Sequence, residues 1–98
     1  MIIDQYLDFV KQELIREVYD EEFLRSIDSE NFLEVYRIFE KYGFYFIDDI
    51  ILNDLELFLE DPSKIESGIL KLKDELGPDF VKKIGIDMRY LEQLYDEN

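Results

Sequence analysis

Without histidine or cysteine, the groups in this chain that could move a proton or attack a substrate are carboxylates, lysines, tyrosines and four serines. Paired acids occur at Asp48-Asp49 and Glu60-Asp61, the residue type that general acid and base chemistry would use. Neighbouring residues on a helix point about 100° apart, so neither pair converges on one substrate atom. Ser26, Ser29, Ser63 and Ser67 lie outside any glycine-flanked elbow, and Ser29 and Ser63 read as helix-start residues. Asp48, Asp49, Asn53 and Asp54 are hard oxygen donors, yet the spaced acids and central glycine of a calcium loop are missing. The absence of cysteine excludes disulfides, zinc–thiolate sites and a thiol nucleophile. The chain therefore reads as a non-enzyme, with no catalytic residues, no metal site and no cofactor.

The chemistry these residues do suggest is electrostatic. Twenty-five acids face eleven bases, a formal net charge of -14. Such a field repels phosphate backbones, which argues against direct nucleic-acid binding, and it speeds encounters with a basic protein. The acidity is purest between Lys41 and Lys64, where Asp48, Asp49, Asp54, Glu56, Glu60 and Asp61 occur with no base between them. A second cluster, Asp20-Glu21-Glu22 with Glu17, extends it.

The same window is unusually apolar: eleven of the sixteen residues from Phe44 to Leu59 are apolar. Phe44, Phe46, Ile50 and Leu55 are expected in the core. The surplus beyond one core face, rimmed by carboxylates, has the make-up of a protein interface. The candidate partner-binding residues are Asp48, Asp49, Asp54, Glu56, Glu60, Asp61, Tyr45, Glu21 and Glu22. The expected function is that of an acidic protein-binding module of the inhibitor, immunity or nucleic-acid-mimic type, engaging a basic partner surface. The alternative is an assembly protein that homodimerises through residues 44–59. The start of the chain lacks the basic region of a signal peptide, and no apolar run is long enough to span a bilayer. A cytoplasmic location without membrane association is expected.

The elements that must position these groups are helices. Ile3, Leu7, Val10, Leu14 and Val18 recur at three- and four-residue steps and predict one amphipathic helix over 3–19. Asp20-Glu21-Glu22 opens a second, carrying Phe23, Leu24 and Ile27. A third runs from about Glu30 to Tyr42, with Phe32, Val35, Tyr36 and Phe39 inward and Gly43 as its stop. Residues 44–59 could form a buried hairpin, since Phe, Tyr and Ile favour strands. Two short helices are the preferred reading, with Asn53 capping a new turn and Glu56 three residues on.

Asp61-Pro62 starts a helix whose Ile65, Ile69, Leu72 and Leu76 lead to Gly77. Gly77-Pro78 starts another through Ile84, stopped by Gly85, and Asp87 caps a last one bearing Tyr90, Leu91 and Leu94. Gly68 interrupts a good helical pattern and reads first as a tolerated defect, with close approach of a neighbouring helix as the alternative.

Shifted by thirty-four residues, Val35-Tyr36-Arg37-Ile38 overlies Ile69-Leu70-Lys71-Leu72. Gly43 then overlies Gly77, Phe46-Ile47 overlies Phe80-Val81, Ile50 Ile84, Asn53 Asp87, and Leu57 Leu91. A period of this length suggests stacked helical repeats. In the run Ile69-Leu70-Lys71-Leu72 through Leu76-Gly77 and on to Leu91, the echo loosely resembles the helical repeats of mitochondrial transcription termination factors, over about the C-terminal two-thirds of the chain. That family's nucleic-acid binding needs a basic concave face. The acidic composition here does not supply one, so no function is carried over. The expected fold is all-α: one acidic domain over residues 1–98, a compact bundle of five to seven short helices, with two degenerate helical repeats as a candidate organisation of its C-terminal two-thirds.

Overall fold

Aspartates divide this chain into its helices. In the computed structural model, which describes residues 2–95, six α-helices and three 3-10 helices follow one another, with no strand among the described residues. They are η1 (Ile2–Gln5), α1 (Phe9–Val18), α2 (Glu21–Arg25), α3 (Ser29–Lys41), α4 (Ile47–Asn53), η2 (Leu55–Leu59), α5 (Pro62–Leu76), α6 (Phe80–Ile86) and η3 (Met88–Tyr95). The side chains of Asp8, Asp20, Asp28, Asp61 and Asp87 accept from the backbone N–H of Lys11, Phe23, Glu30, Ser63 and Arg89, respectively. Each satisfies a donor that the first turn of a helix leaves unpaired. Part of the chain's acidity is thus spent on starting helices.

The echo of thirty-four residues is a structural repeat. Helix, helix and 3-10 helix occur in that order twice, as α3-α4-η2 and as α5-α6-η3. In each unit the 3-10 helix folds back on both of its α-helices, and α3 packs on α5 to join the units. Gly43 and Gly77 end the leading helices at φ +85° and +86°, a conformation costly to residues with a Cβ. After α3, Gly43 N–H donates to Glu40 O and Phe44 N–H to Phe39 O, so the turn is a Schellman motif. Its apolar contact is present too, as the Phe39 and Phe44 rings meet edge-on at 5.0 Å. Val35 and Ile69, Phe46 and Phe80, Ile50 and Ile84, and Leu57 and Leu91 are buried in pairs at the repeat spacing.

Residues 44–59 form two short helices, as preferred from the sequence, although the second is 3-10. Their apolar surplus goes inward. Phe44, Phe46, Ile47, Ile50, Ile51, Leu55, Leu57 and Phe58 are all buried, which leaves Tyr45 and Leu59 as the exposed large apolar side chains of the segment. The fold absorbs so many because α4 and η2 lie between other elements: Phe58 stacks on Phe32 at 4.9 Å and meets Phe39 at 5.6 Å. The expected cap at Asn53 is not formed. Asn53 is the last residue of α4, and its side-chain amide donates to Asp49 O one turn back.

Two further expectations are corrected. The helix over 3–19 is interrupted at Tyr6-Leu7, because Asp8 caps a new start and the Gln12 side chain donates to Asp4 O and Leu7 O, holding the turn of η1. The break rotates α1. Ile15 becomes its buried residue, while Val10, Leu14 and Val18 face outward at 66%, 46% and 70% exposure. Gly68 is a close approach and not a defect, since a Cβ there would lie 2.5 Å from Leu94 Cδ2 of η3. One continuous hydrophobic core results, with a radius of gyration of 13.2 Å, close to the roughly 13 Å of a packed chain of about 100 residues. No described helix is long and apolar enough to cross a membrane.

Candidate binding surface

Helices α1 and α4 set the geometry of the acidic residues. Lys11, near the start of α1, forms an ion pair with Asp48, near the start of α4. Tyr19, just past the end of α1, donates its hydroxyl to Glu56, just past the end of α4, at 2.6 Å. The two helices therefore run side by side in the same direction, and the acids of residues 44–59 separate to the two ends of α4.

At the first end is a cleft of about 370 Å³. Its floor is Phe44 and Ile47, and its walls are Tyr6, Tyr36, Tyr45, Glu40 and Asp48. Alternation makes this arrangement. Phe44 and Phe46 are both buried, so Tyr45 between them is turned out, 74% exposed, with its ring edge-on to Phe46 at 5.1 Å. Tyr6 packs against Tyr36 at 4.4 Å, which places two tyrosines along the opposite wall. Burial raises the Tyr36 pKa above the ordinary phenol value, and the nearby Glu40, Tyr6 and Asp48 raise it further. The bond from Lys11 holds the Asp48 carboxyl below the usual range. Among the described residues, no basic side chain lines the cleft.

At the far end of α4, Asp54 and Glu56 meet two tyrosines and Glu92. Tyr95 donates to Asp54 at 3.5 Å. Burial raises the Asp54 pKa, and Glu56 and Glu92 add to it. Tyr19 and Tyr95 are also raised, in each case chiefly by burial and then by these carboxylates.

The remaining predicted residues lie apart from the cleft. Glu21 sits between Arg16 and Arg25 at 3.0 and 3.2 Å, and the bond from Arg16, followed by that from Arg25, lowers its pKa. Glu22 is exposed beside it on the first turn of α2. Asp61 caps α5, and Glu60 pairs with Lys64 at 3.7 Å. Asp49 is exposed on the first turn of α4. The structure thus gathers Tyr45 and Asp48 with Tyr6, Tyr36 and Glu40, which sequence reasoning passed over. The latter three come from two other segments, and only the packing of η1 and α3 brings them to Tyr45.

Sequence reasoning also missed the outer face of α1. Val10, Leu14 and Val18 lie four residues apart on one side, with Glu13 and Glu17 exposed beside them and Phe9, 73% exposed, at the leading end. The periodicity was legible, but its direction was not.

Among the described residues, no three or more acidic side chains gather as metal ligands would. What the surface offers is acceptors for cationic and hydrogen-bonding groups, beside exposed apolar and aromatic area. Fold and surface define the chain as an acidic all-α protein built on two tandem helix–helix–3-10 units. Comparison with protein-family models, curated proteins and solved structures gives no match to this chain. The likeness to termination-factor repeats therefore rests on the spacing of the echo alone.

Proposed function

We propose that this chain is a non-enzymatic acidic binding module that engages a basic protein surface. The mode of action is that of an inhibitor, immunity or nucleic-acid-mimic protein, which covers the cationic site of a nuclease or a similar enzyme. The observation that carries this reading is the outer face of α1. Val10, Leu14 and Val18 are solvated in a protein that otherwise buries an extensive apolar core, and the acids beside them are Glu13 and Glu17. An apolar strip that the fold leaves uncovered, with Glu13 and Glu17 along one edge and the Lys11–Asp48 ion pair along the other, suits a partner with apolar anchors and a basic rim. The net charge of -14 adds long-range steering toward such a partner.

Self-association is less well supported. The segment 44–59 has turned its apolar residues into the core. Antiparallel pairing of two copies through α1 would set Glu13 and Glu17 against the same acids of the second copy.

The test is affinity capture from the native host at low salt, eluted with a salt step, in parallel for the wild type, Leu14→Ser and the Asp48→Lys/Asp49→Lys/Asp54→Lys triple variant. A basic protein retained by the wild type, released by salt and weakened by both variants is the expected result. Retention insensitive to salt, or unchanged in both variants, would refute the reading. Sedimentation equilibrium should give a monomer, and a dimer abolished by Leu14→Ser would favour assembly instead.

A further inference from the structure

The cleft between α3, η1 and the Phe44–Phe46 turn has a shape and polarity that specify its occupant more closely than net charge does. It presents three tyrosines, Tyr6, Tyr36 and Tyr45, and two carboxylates, Glu40 and Asp48. Asp48 is already engaged on both oxygens, since Lys11 donates to Oδ2 and the Asp49 N–H to Oδ1. Glu40, exposed on α3, is left as the acceptor for an incoming group. Tyr45 needs no partner to hold it in place, because buried neighbours on both sides fix its backbone and its ring rests on Phe46. A platform that loses little freedom on binding favours association. The volume of about 370 Å³ lies at the small end of the range for ligand sites, about 300–1,000 Å³, and suits one long side chain.

A cation fits this lining and an anion does not. Between the two natural cations, the surface discriminates by geometry. A guanidinium is flat and can lie on a tyrosine face while its N–H fork meets a carboxylate edge-on. An ammonium is a compact, strongly hydrated charge that gains less from a planar wall. We infer that the cleft takes the guanidinium of one partner arginine, stacked against Tyr45 and Tyr36 and paired with Glu40. This rests on the proposed role as a binder of basic proteins and gives that role an anchor separate from α1.

The probes are three short blocked peptides, Gly-Arg-Gly, Gly-Lys-Gly and the neutral citrulline analogue of the first, titrated while the tyrosine ring resonances are followed by NMR. The arginine peptide should give saturable shifts at Tyr36 and Tyr45 with weak, millimolar affinity, and the citrulline peptide none. The lysine peptide and the Glu40→Gln variant should each bind about two- to five-fold more weakly, the loss expected for a solvated cation–π or ion-pair contact. Tyr45→Ala, an exposed position that melting curves should show to be folded, should remove the Tyr36 response to the arginine peptide. Equal responses to arginine and citrulline, or an unaltered titration in Glu40→Gln, would overturn the assignment. The proposed function is tested apart from it by Leu14→Ser. If this variant loses the captured partner yet binds the arginine peptide normally, both stand. If it loses the partner while no protein form binds the peptide, the cleft assignment alone falls. Peptide binding with no basic partner captured leaves the cleft and removes the function.

Discussion

Gly68 of α5 and Leu94 of η3 meet at a distance that leaves no room for a side chain on the first: a Cβ there would lie 2.5 Å from Leu94 Cδ2 and 3.6 Å from Leu94 Cα. The contact closes the second repeat unit, since η3 reaches α5 at this point. Replacing an interior helix glycine with alanine normally gains up to about 1 kcal/mol in propensity. Here Leu94 is 1% exposed, so it has no open space to turn into. Overpacking of this kind costs about 1–3 kcal/mol. Gly68→Ala should therefore lower stability, by a net of up to about 2 kcal/mol once the propensity gain is set against the overpacking, read as a fall in the urea midpoint with an unchanged slope. A variant as stable as the wild type would show that Leu94 can move aside and that the close approach is not required.

The first unit is closed by a polar contact. Asn31 of α3 donates its side-chain amide to Phe58 O and Glu60 O, both at 2.9 Å, and so fixes the end of η2 across 27 and 29 residues of chain. Asn31→Ala removes the donor and should cost about 1–2 kcal/mol. Asn31→Asp should cost more, about 2–3 kcal/mol at neutral pH, because a carboxylate then faces two carbonyl oxygens. Thermal melts of the two variants give the order directly. Equal stability of Asn31→Asp and the wild type would contradict the assigned contact.

Substitutions on the two sides of α1 separate its faces. Ile15 is 1% exposed and Leu14 is 46% exposed, although they are neighbours. Ile15→Ala should cost about 2–4 kcal/mol, the usual loss for truncating a buried aliphatic side chain. Leu14→Ser should change stability by no more than about 0.5 kcal/mol. If Leu14 proved the costly position, α1 would not have the rotation that buries Ile15, and the exposed strip would fall with it.

That rotation also marks where the sequence stops being informative. The starts and stops of helices are local, and Asp20, Asp28, Asp61, Asp87, Gly43 and Gly77 signal them through hydrogen bonds and backbone conformations that need nothing distant. The repeat is legible for the same reason, since buried positions recur with the turns between them. The direction of an amphipathic face is not local. In the register Ile3, Leu7, Val10, Leu14 and Val18, a break of one residue type at Asp8 is enough to send Leu7 inward and Val10 outward. Likewise the density of apolar residues over 44–59 could be read from the sequence. That α4 and η2 would be enclosed by α1, α3 and the neighbouring unit is a property of packing. The acidic patch shares this limit: Asp48 and Asp54 are six residues apart in sequence, and only packing shows that they take different neighbours at opposite ends of α4, Lys11 for the first and Tyr95 for the second.

The far end of α4 supplies a pH test. Burial, then Glu56 and Glu92, raise the Asp54 pKa in the folded protein. A carboxyl with a raised folded pKa destabilises the folded state above that pKa, and the cost is relieved as pH falls through it. Asp48 and Glu21 behave oppositely. Lys11 lowers the first, and Arg16 followed by Arg25 the second, so their contributions are present above the unfolded carboxyl values near about 4 and are lost as pH falls through their folded pKa values. Asp54→Asn keeps the shape and removes the charge, so it should stabilise the protein at pH 7, read as a rise in Tm. The gain should shrink as pH falls through the raised Asp54 pKa, while the stability lost in Asp48→Asn should hold down to about pH 4 and fade only below it, as the wild-type Asp48 protonates. A gain from Asp54→Asn that stayed constant between pH 7 and 4 would mean that the effect is one of packing and not of the buried charge.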